Sequence, residues 1–215
     1  NWLENNVDWA LSRERFWGTP LNIWICNKCE KQQAIESIEE LENLSKRDLK
    51  ELDPHKPYID EITFKCQHCD GIMNRTPEVI DAWFDSGSMP ISQWYYPKQN
   101  KEEFCQNFPA DYISEAIDQT RGWFYTLHAI ATFLFKKPAY KNVLVLGHIL
   151  DKDGFKMSKS KKNVIDPWEI IEKNGSDSIR WYMYRVNQPW DPTRFDKTGV
   201  AEIHHGFFNT LKNVL

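Results

Sequence analysis

The pattern of apolar and polar positions divides the chain into four stretches. Residues 1–25 mix aromatics with charges of both signs, and a polar segment follows from Cys26 to about Arg75. Within that segment Ile38, Leu41, Leu44, Leu49 and Leu52 fall near helical spacing among many charges. Ile35 to Leu52 is therefore expected as a surface helix, broken by Asp53-Pro54. From Pro109 onward the pattern changes to strand, helix, strand, loop, helix. Tyr112-Ile113 starts a short strand. Asp118 to Phe135 is apolar almost all round, with Trp123, Leu127, Ile130 and Leu134 on one face, and is expected as a deeply buried helix. Asn142-Val143-Leu144-Val145-Leu146-Gly147 is a continuous β-branched and apolar run, the mark of a strand covered on both faces. Two such strands joined by a helix make a βαβ unit, whose ligands bind at the carboxyl ends of the strands. Two further helical stretches, about 167–186 and 198–215, close the chain, and no repeat or low-complexity tract is present.

Composition narrows the class. With 215 residues and 41% hydrophobic content, the chain can bury one sizeable core and a small satellite module. Ten Trp, eight Tyr and twelve Phe point to cores and ligand pockets rather than disorder. A formal charge of −4 gives no global basic field, so any RNA contact must be local. No apolar stretch reaches the roughly 20 residues of a membrane span, and no secretory signal opens the chain. The opening Asn1-Trp2-Leu3 has no initiator Met and is expected to be the middle of something longer. Five Cys, of which four form two Cys-x-x-Cys pairs, fit a cytoplasmic protein, and Cys105 is expected as a partly buried apolar thiol.

Four short stretches carry chemistry. Lys156-Met157-Ser158-Lys159-Ser160 follows the apolar strand and the turn Asp151-Lys152-Asp153-Gly154. Two ammonium groups and two hydroxyls on a loop at a strand's carboxyl end suit a polyphosphate. On charge alone, a solvated basic loop is the stronger reading, because Lys161 and Lys162 continue the run. No Walker A loop is present, so a P-loop ATPase is not supported. Glu115-Ala116-Ile117-Asp118-Gln119-Thr120-Arg121-Gly122-Trp123 runs from a strand end into the helix. A carboxylate there can accept ribose hydroxyls, and the helix start offers free N–H groups; the alternative is an N-capping Asp118 with Glu115 exposed. Asp81-Ala82-Trp83-Phe84-Asp85-Ser86-Gly87-Ser88 reads as a turn following two aromatics that pack in a core. Cys26-Asn27-Lys28-Cys29 and Cys66-Gln67-His68-Cys69 read as two knuckles of a tetrahedral thiolate site suited to structural zinc. A redox pair or unrelated buried thiols are the alternatives, and His68 is a possible substitute for one Cys. Two matching pairs favour zinc over either.

The pentapeptide at 156–160 resembles the Lys-Met-Ser-Lys-Ser signature of class I aminoacyl-tRNA synthetases. The blocks at 115–123 and 81–88 resemble those of the isoleucine branch of that family. Ser12-Arg13-Glu14-Arg15-Phe16-Trp17-Gly18-Thr19-Pro20 is similar to the segment leading from its editing insertion into the catalytic domain, and Asn174-Gly175-Ser176-Asp177 with Arg180 to the helix region after the signature loop. The chain departs from the pattern at Ala116, where Gly is usual, and at Asn22, where Pro is usual. The order of Gly147-His148-Ile149-Leu150 differs from the family's His-Ile-Gly-His motif, which belongs to the first half of the fold. The resemblance covers nearly the whole chain, although 30–65 match only in the metal knuckles.

The resemblance implies an α/β fold, the C-terminal half of a Rossmann-type parallel-sheet catalytic domain with an inserted zinc-knuckle module and trailing helices. Residues 1–25 would be the catalytic segment after the editing insertion and 26–75 the zinc-knuckle insertion. Residues 76–165 would form the second half of the nucleotide-binding domain, and 166–215 a helical region leading toward the anticodon-binding domain. Lys156 and Lys159, with Mg²⁺, would neutralise the triphosphate of ATP. Glu115, Ala116 and Asp118, the strand-end residues Gly147, His148 and Ile149, and Met157, Ser158 and Ser160 would complete the nucleotide site. His148 as an acid or base is the alternative to its backbone role. Trp83, Gln119 and Trp123 would face the isoleucine side chain, and Cys26, Cys29, Cys66 and Cys69 would hold Zn²⁺. An apolar pocket rejects a substrate one methylene smaller only weakly, a limit for which isoleucine enzymes are themselves the standard example, and nothing here resembles an editing domain. The partners implied are isoleucine, ATP, tRNA and the remainder of the same synthetase chain, with no membrane, in a cytoplasmic monomer. Alone, the fragment is expected to be inactive. The rival readings are a valine enzyme and a non-catalytic zinc-ribbon module that binds RNA or protein.

Overall fold

The computed structural model describes residues 3–215, so Asn1 and Trp2, which open the 1–25 segment, lie outside the described residues. The chain forms two compact units, one made of residues 1–100 with 126–136 and the other of 101–125 with 137–215.

In the first unit the elements run β1 (Ser12–Arg13), β2 (Ile23–Cys26), β3 (Gln32–Ala34), α1 (Ile38–Ser45), β4 (Phe64–Lys65), β5 (Ile72–Arg75), β6 (Val79–Ile80) and α2 (Ala82–Ser92). Strands β3-β2-β5-β4 form an antiparallel sheet in that order, with Cys26 opposite Met73 and Phe64 opposite the same residue. The period-two alternation of β2 buries Trp24 and Cys26 and leaves Ile23 and Ile25 half-exposed. Trp24 sits in a cluster with Leu41, Leu49, Ile59, Ile62, Phe64 and Met73, and its indole N–H donates to the Ile62 carbonyl at 2.8 Å. Arg75, with its side chain fully covered, pairs with Asp60 at 2.5 Å and donates to the carbonyls of Leu21 and Glu78.

Helix α1 is shorter than the Ile35–Leu52 pattern predicts, and Asp53-Pro54 plays no part in ending it. Ser37 caps its start by accepting from the Glu40 N–H. Lys46 ends it in the left-handed region (φ 56°), where its N–H closes onto the Glu42 carbonyl. The Glu42 carboxylate then takes the Leu49 N–H at 2.8 Å, turning the chain so that Leu49 is buried outside the helix.

The Asp81–Ser88 stretch, expected as a turn, is the start of α2. Asp81 accepts from the Trp83 N–H and nucleates the helix. Gly87 is required further along, because a Cβ there would lie 2.9 Å from the backbone of Thr126.

The second unit continues with α3 (Lys101–Asn107), β7 (Ile113–Ala116), α4 (Trp123–Phe135), β8 (Val143–Leu146), β9 (Ile149–Leu150), α5 (Pro167–Asn174), α6 (Ser176–Arg185), β10 (Thr193–Arg194), α7 (Lys197–Ile203) and α8 (Asn209–Val214). Of α4, residues 126–135 count with the first unit. Strands β7 and β8 pair in parallel, with Glu115 opposite Val145 and Ala116 opposite Leu146, as the βαβ reading requires. The helical run predicted from Asp118 is divided: Ile117–Arg121 form a 3-10 turn, Gly122 breaks it, and α4 begins at Trp123. Its burial is deep only in part. Leu127 and Ile130 are buried, whereas Phe133 is 77% and Leu134 53% exposed. Nor is β8 covered on both faces, since Val143 and Leu146 remain partly exposed and, among the described residues, its only strand partner is β7.

The two closing helical stretches are also subdivided. Gly175 (φ 78°) separates α5 from α6, and a π-turn at His204–Phe208 joins α7 to α8. Ile170, Tyr182, Phe195, Val200 and Ile203 form the core here, with β10 lying parallel to β9. Cys105, expected to be partly buried, is exposed on α3. No helix among the described residues is long and apolar enough to cross a membrane.

Candidate functional site

In the second unit the parallel pairing of β7 and β8 brings their carboxyl ends side by side. Glu115 and Ala116 end β7 and lead into Asp118, while Gly147, His148 and Ile149 follow β8. The side-chain oxygen of Gln119 accepts from the Trp123 N–H at 3.0 Å, so Gln119 caps α4, and Asp118 instead accepts from Gln119 Nε2 at 3.1 Å. The sequence alternative of an N-capping Asp118 is thereby replaced. Trp123 is half-exposed.

The strand-end backbone at 147–148 is engaged by the chain itself. Gly147 N–H donates to the Pro189 carbonyl and the His148 carbonyl accepts from Thr193 N–H, each at 2.9 Å. Asn187 holds this crossing segment through the carbonyls of Asp191 and Pro192 and through the Thr193 hydroxyl. A polar hub of this kind was not legible from the sequence.

Beyond β9 the chain makes a tight reversal. Asp151 N–H donates to Phe155 O, and Lys156 bridges back to Leu150. Lys156 and Lys159 are exposed, and among the described residues neither pairs with a carboxylate. Their ammonium groups are thus available to an external polyanion. Met157 is half-buried and lines an apolar cavity of about 310 Å³ with Ile149, Ile165, Ile170, Met183 and Phe195. The hydroxyls of Ser158 and Ser160 lie 3.2 Å apart. Lys162 adopts φ 55°, a left-handed conformation that is strained for a side chain other than Gly.

In the first unit Trp83 is 43% exposed on the first turn of α2, so core packing does not account for it. Its helix is fixed by Asp81, which also accepts from Trp9 Nε1 at 2.9 Å and Arg13 Nη2 at 2.7 Å. Burial opposes the Asp81 charge, but the Trp9 indole, the Trp83 N–H and the Arg13 guanidinium outweigh it and hold its pKa below the usual value. A depressed carboxylate pKa stabilises the fold above the ordinary value of about 4 and stops doing so as pH falls through the folded value. Asp81→Asn is therefore expected to cost about 1–2 kcal/mol at pH 7, from the lost charged hydrogen bonds, and less at pH 3. Urea unfolding at both pH values checks this; an equal cost at the two would contradict it.

The four paired cysteines converge, with all sulfurs within 4.8 Å of one another. Cys26 and Cys69 Sγ lie 3.5 Å apart and Cys29 and Cys66 Sγ 3.7 Å. A tetrahedral ion with metal–sulfur bonds near 2.3 Å needs sulfurs about 3.8 Å apart, so the donor set fits one four-coordinate metal with no open position. The N–H groups of Cys29 and Lys28 stabilise the Cys26 thiolate and lower its pKa to about 6. The Gly71 N–H pulls Cys69 down, but Cys26, burial and the other two sulfurs together push it up to about 12. His68 contributes its N–H to Cys66 Sγ rather than its ring to the cluster. Sequence reasoning missed Gly71, where a Cβ would stand 2.4 Å from Cys26 Sγ, and Asn27, whose side chain accepts from the Ile72 N–H. The signal for the first was a Gly two residues past the second Cys pair.

Strands β7 and β8 thus pair in parallel, and the dilysine loop follows β9 further along the chain. The family model "tRNA synthetases class I (I, L, M and V)" matches residues 1–192, and the chain belongs to this family. Within it, the chain is 53% identical over 212 residues to the isoleucine–tRNA ligase of Clostridium novyi (strain NT), a match covering 99% of this chain and 20% of that protein. It is 52% identical over 213 residues to the isoleucine–tRNA ligase of Bacillus thuringiensis (strain Al Hakam), covering 99% and 21%. The chain thus spans about a fifth of the length of these relatives. Among solved structures it is similar to a LeuRS of Agrobacterium radiobacter K84 in a complex with tRNA and LeuAMS. That likeness has a TM-score of 0.70 at 21% identity, covering 95% of this chain and 27% of the other. A methionyl-tRNA synthetase of Mycobacterium tuberculosis matches at TM-score 0.52 and 21% identity, over 70% of this chain and 28% of its own. Both likenesses concern the fold.

Proposed function

We propose that this chain carries the second half of the adenylate-forming site of an isoleucine–tRNA ligase, with a structural zinc in the four-thiolate centre. The observation that carries this reading is the pair of uncompensated lysines, Lys156 and Lys159, on a loop downstream of the strand edge that ends in Glu115. In the reaction, the isoleucine carboxylate attacks the α-phosphate of ATP and pyrophosphate leaves. The nucleophile is already ionised, so no general base is demanded, and catalysis is positioning plus charge stabilisation. Lys156 and Lys159 neutralise the triphosphate and the departing pyrophosphate, a role shared with Mg²⁺ when it is bound. Glu115 and Asp118 take the ribose hydroxyls, and the strand-end residues Ala116, Gly147, His148 and Ile149 border the adenine. Ser158 and Ser160 add hydrogen bonds to phosphate oxygens. Trp83, Gln119 and Trp123 meet the amino acid, and a tRNA 3′ end accepts the product. The division into segments 1–25, 26–75, 76–165 and 166–215 goes with this reading. So do a cytoplasmic, monomeric parent protein and a bare chain that is inactive by itself.

Isoleucine-dependent ATP–pyrophosphate exchange by the full-length protein, with valine as comparison, tests this. Lys159→Ala is expected to lower exchange about a hundredfold, the scale of losing one charge-stabilising donor. Trp83→Ala is expected to raise the KM for isoleucine roughly tenfold, the size of one lost apolar wall. Exchange favouring valine would overturn the substrate. No exchange with any amino acid would leave a zinc-stapled binding module as the better account.

A further inference from the structure

The 156–160 loop is held by two residues outside the signature. Asp151, at the end of β9, and Asn163, twelve residues later, meet through Asn163 Nδ2 donating to Asp151 Oδ2 at 2.7 Å. The other Asp151 oxygen accepts from the N–H groups of Asp153 and Phe155, at 3.1 and 2.8 Å, which fixes the reversal before the loop. Asn163 reaches into the loop at two points. Its carbonyl oxygen accepts from Ser158 N–H at 2.9 Å, and its amide donates to the Lys156 carbonyl at 3.3 Å. Two side chains therefore tie together the start, the middle and the end of the segment that carries both lysines. Met157 packs against the buried cluster that includes Ile170 and Phe195, which adds an apolar restraint on the loop. Further restraints are local, among them the Lys161 N–H donating to the Ser158 carbonyl and the Lys162 N–H to the Lys159 carbonyl, each at 3.2 Å.

We propose that Asp151 and Asn163 form a clasp that shapes the Lys156–Ser160 loop before any nucleotide binds, which makes them positioning residues for ATP. The proposal rests on the reading of that loop as the phosphate-binding element. Neither residue touches the reacting atoms; the clasp acts by setting where Lys156 and Lys159 stand, lowering the ordering that ATP would otherwise have to impose. The Asn163 amide is the foremost of the contacts that hold the Asp151 carboxyl below its ordinary pKa, as expected of a carboxylate acting as a fixed acceptor.

The chemistry of the pair supplies its own control. Asn163→Asp sets two carboxylates against each other, and Asp151→Asn sets two amides against each other. The double exchange, Asp151→Asn with Asn163→Asp, restores one donor facing one acceptor and keeps the Ser158 contact, but it forgoes the 3.3 Å donation to the Lys156 carbonyl. In the full-length protein, each single variant is expected to raise the KM for ATP in pyrophosphate exchange by about tenfold, with a smaller effect on kcat, as for one broken hydrogen-bonded pair. Trypsin should cut at the loop lysines roughly tenfold faster in the single variants without nucleotide, by the same free-energy scale. The double exchange should return both readouts part of the way to the parent, beyond either single variant. Single variants that match the parent in both readouts, or a double exchange no better than the worse single, would overturn the clasp. Lys159→Ala, run in parallel, separates the two levels. If it abolishes exchange while the clasp variants do nothing, the clasp alone fails. If it too leaves exchange unchanged, the phosphate-loop reading fails, and the trypsin result still decides whether the clasp shapes the loop.

Discussion

Replacing Cys26 or Cys66 with Ser is expected to empty the thiolate centre and unravel the sheet that it staples. Both residues are buried, and each sits at a point where an antiparallel strand enters or leaves its knuckle. A bound ion would join the end of β2 to the turn before β5 across 36 intervening residues, a connection that the unfolded chain lacks. The rest of the module has a partial safeguard in the cluster around Trp24, Leu41, Ile59 and Ile62, so collapse should be local rather than complete. A loss of several kcal/mol is the scale for a structural zinc site, which in a chain of this size lowers the thermal midpoint by on the order of 10 °C. Metal analysis should fall from one zinc per chain to none, and the Trp24 near-ultraviolet signal should weaken. A strong chelator should reproduce the effect on the unaltered protein. An unchanged midpoint after complete chelation would show that the four sulfurs need no metal to stay together.

Gly147→Ala is expected to be nearly as damaging, for a steric reason. A Cβ at this position would stand 2.3 Å from the Asp191 carbonyl oxygen and 2.4 Å from its carbon, distances at which backbone must move. That backbone has little freedom, because Asn187 holds both Asp191 and Pro192 while Pro189 accepts the Gly147 N–H. The strand edge must then part from the crossing segment, at a cost on the order of 3 kcal/mol for an overpacked site. Urea unfolding should show that loss. In the full-length protein the KM for ATP should rise as well, since the displaced edge borders the proposed adenine site. Gly206→Ala is the matched control: nothing lies within 4 Å of its added Cβ, so a methyl group there should be tolerated. Equal stability of both variants would mean that the 189–193 segment yields more readily than its hydrogen bonds suggest.

What the sequence revealed and what it concealed divide along a physical line. The parallel βαβ unit was legible because a β-branched run and a long apolar helical stretch mark the elements themselves, although the burial they suggest is met only in part. The thiolate centre was legible because its chemistry needs residue types that seldom occur in matched pairs. The extent of α1 was not, because its end depends on Lys46 entering the left-handed region and on Glu42 capturing the Leu49 N–H, neither of which periodicity encodes. Asp81 looked like part of a turn because its value as a helix cap depends on what Trp9 and Arg13 bring to it from some seventy residues away. Exposure misled twice in the same direction: Leu134 continues the apolar pattern yet faces solvent, and Trp83 reads as core yet stands exposed on its helix. The lysines of the 156–160 loop could be named from the resemblance of their pentapeptide to a family signature, whereas Asp151 and Asn163 gain their meaning only once the chain has doubled back.

The interleaving of the two units along the chain limits how the molecule can be dissected. The first takes residues 126–136 out of the middle of the second, so no single scission separates one intact core from the other. A piece ending at residue 100 would keep Phe84 and Gly87 but forfeit Thr126 and Ile130, against which Gly87 is fitted. A piece beginning at residue 101 would keep α4 whole while leaving the apolar surface of Ala129, Ile130 and Phe133 without Trp9, Leu11 and Phe84, which line a cavity with it. Split-protein complementation or limited truncation on this scaffold must therefore place its breaks in pairs, one on each side of the borrowed helical segment.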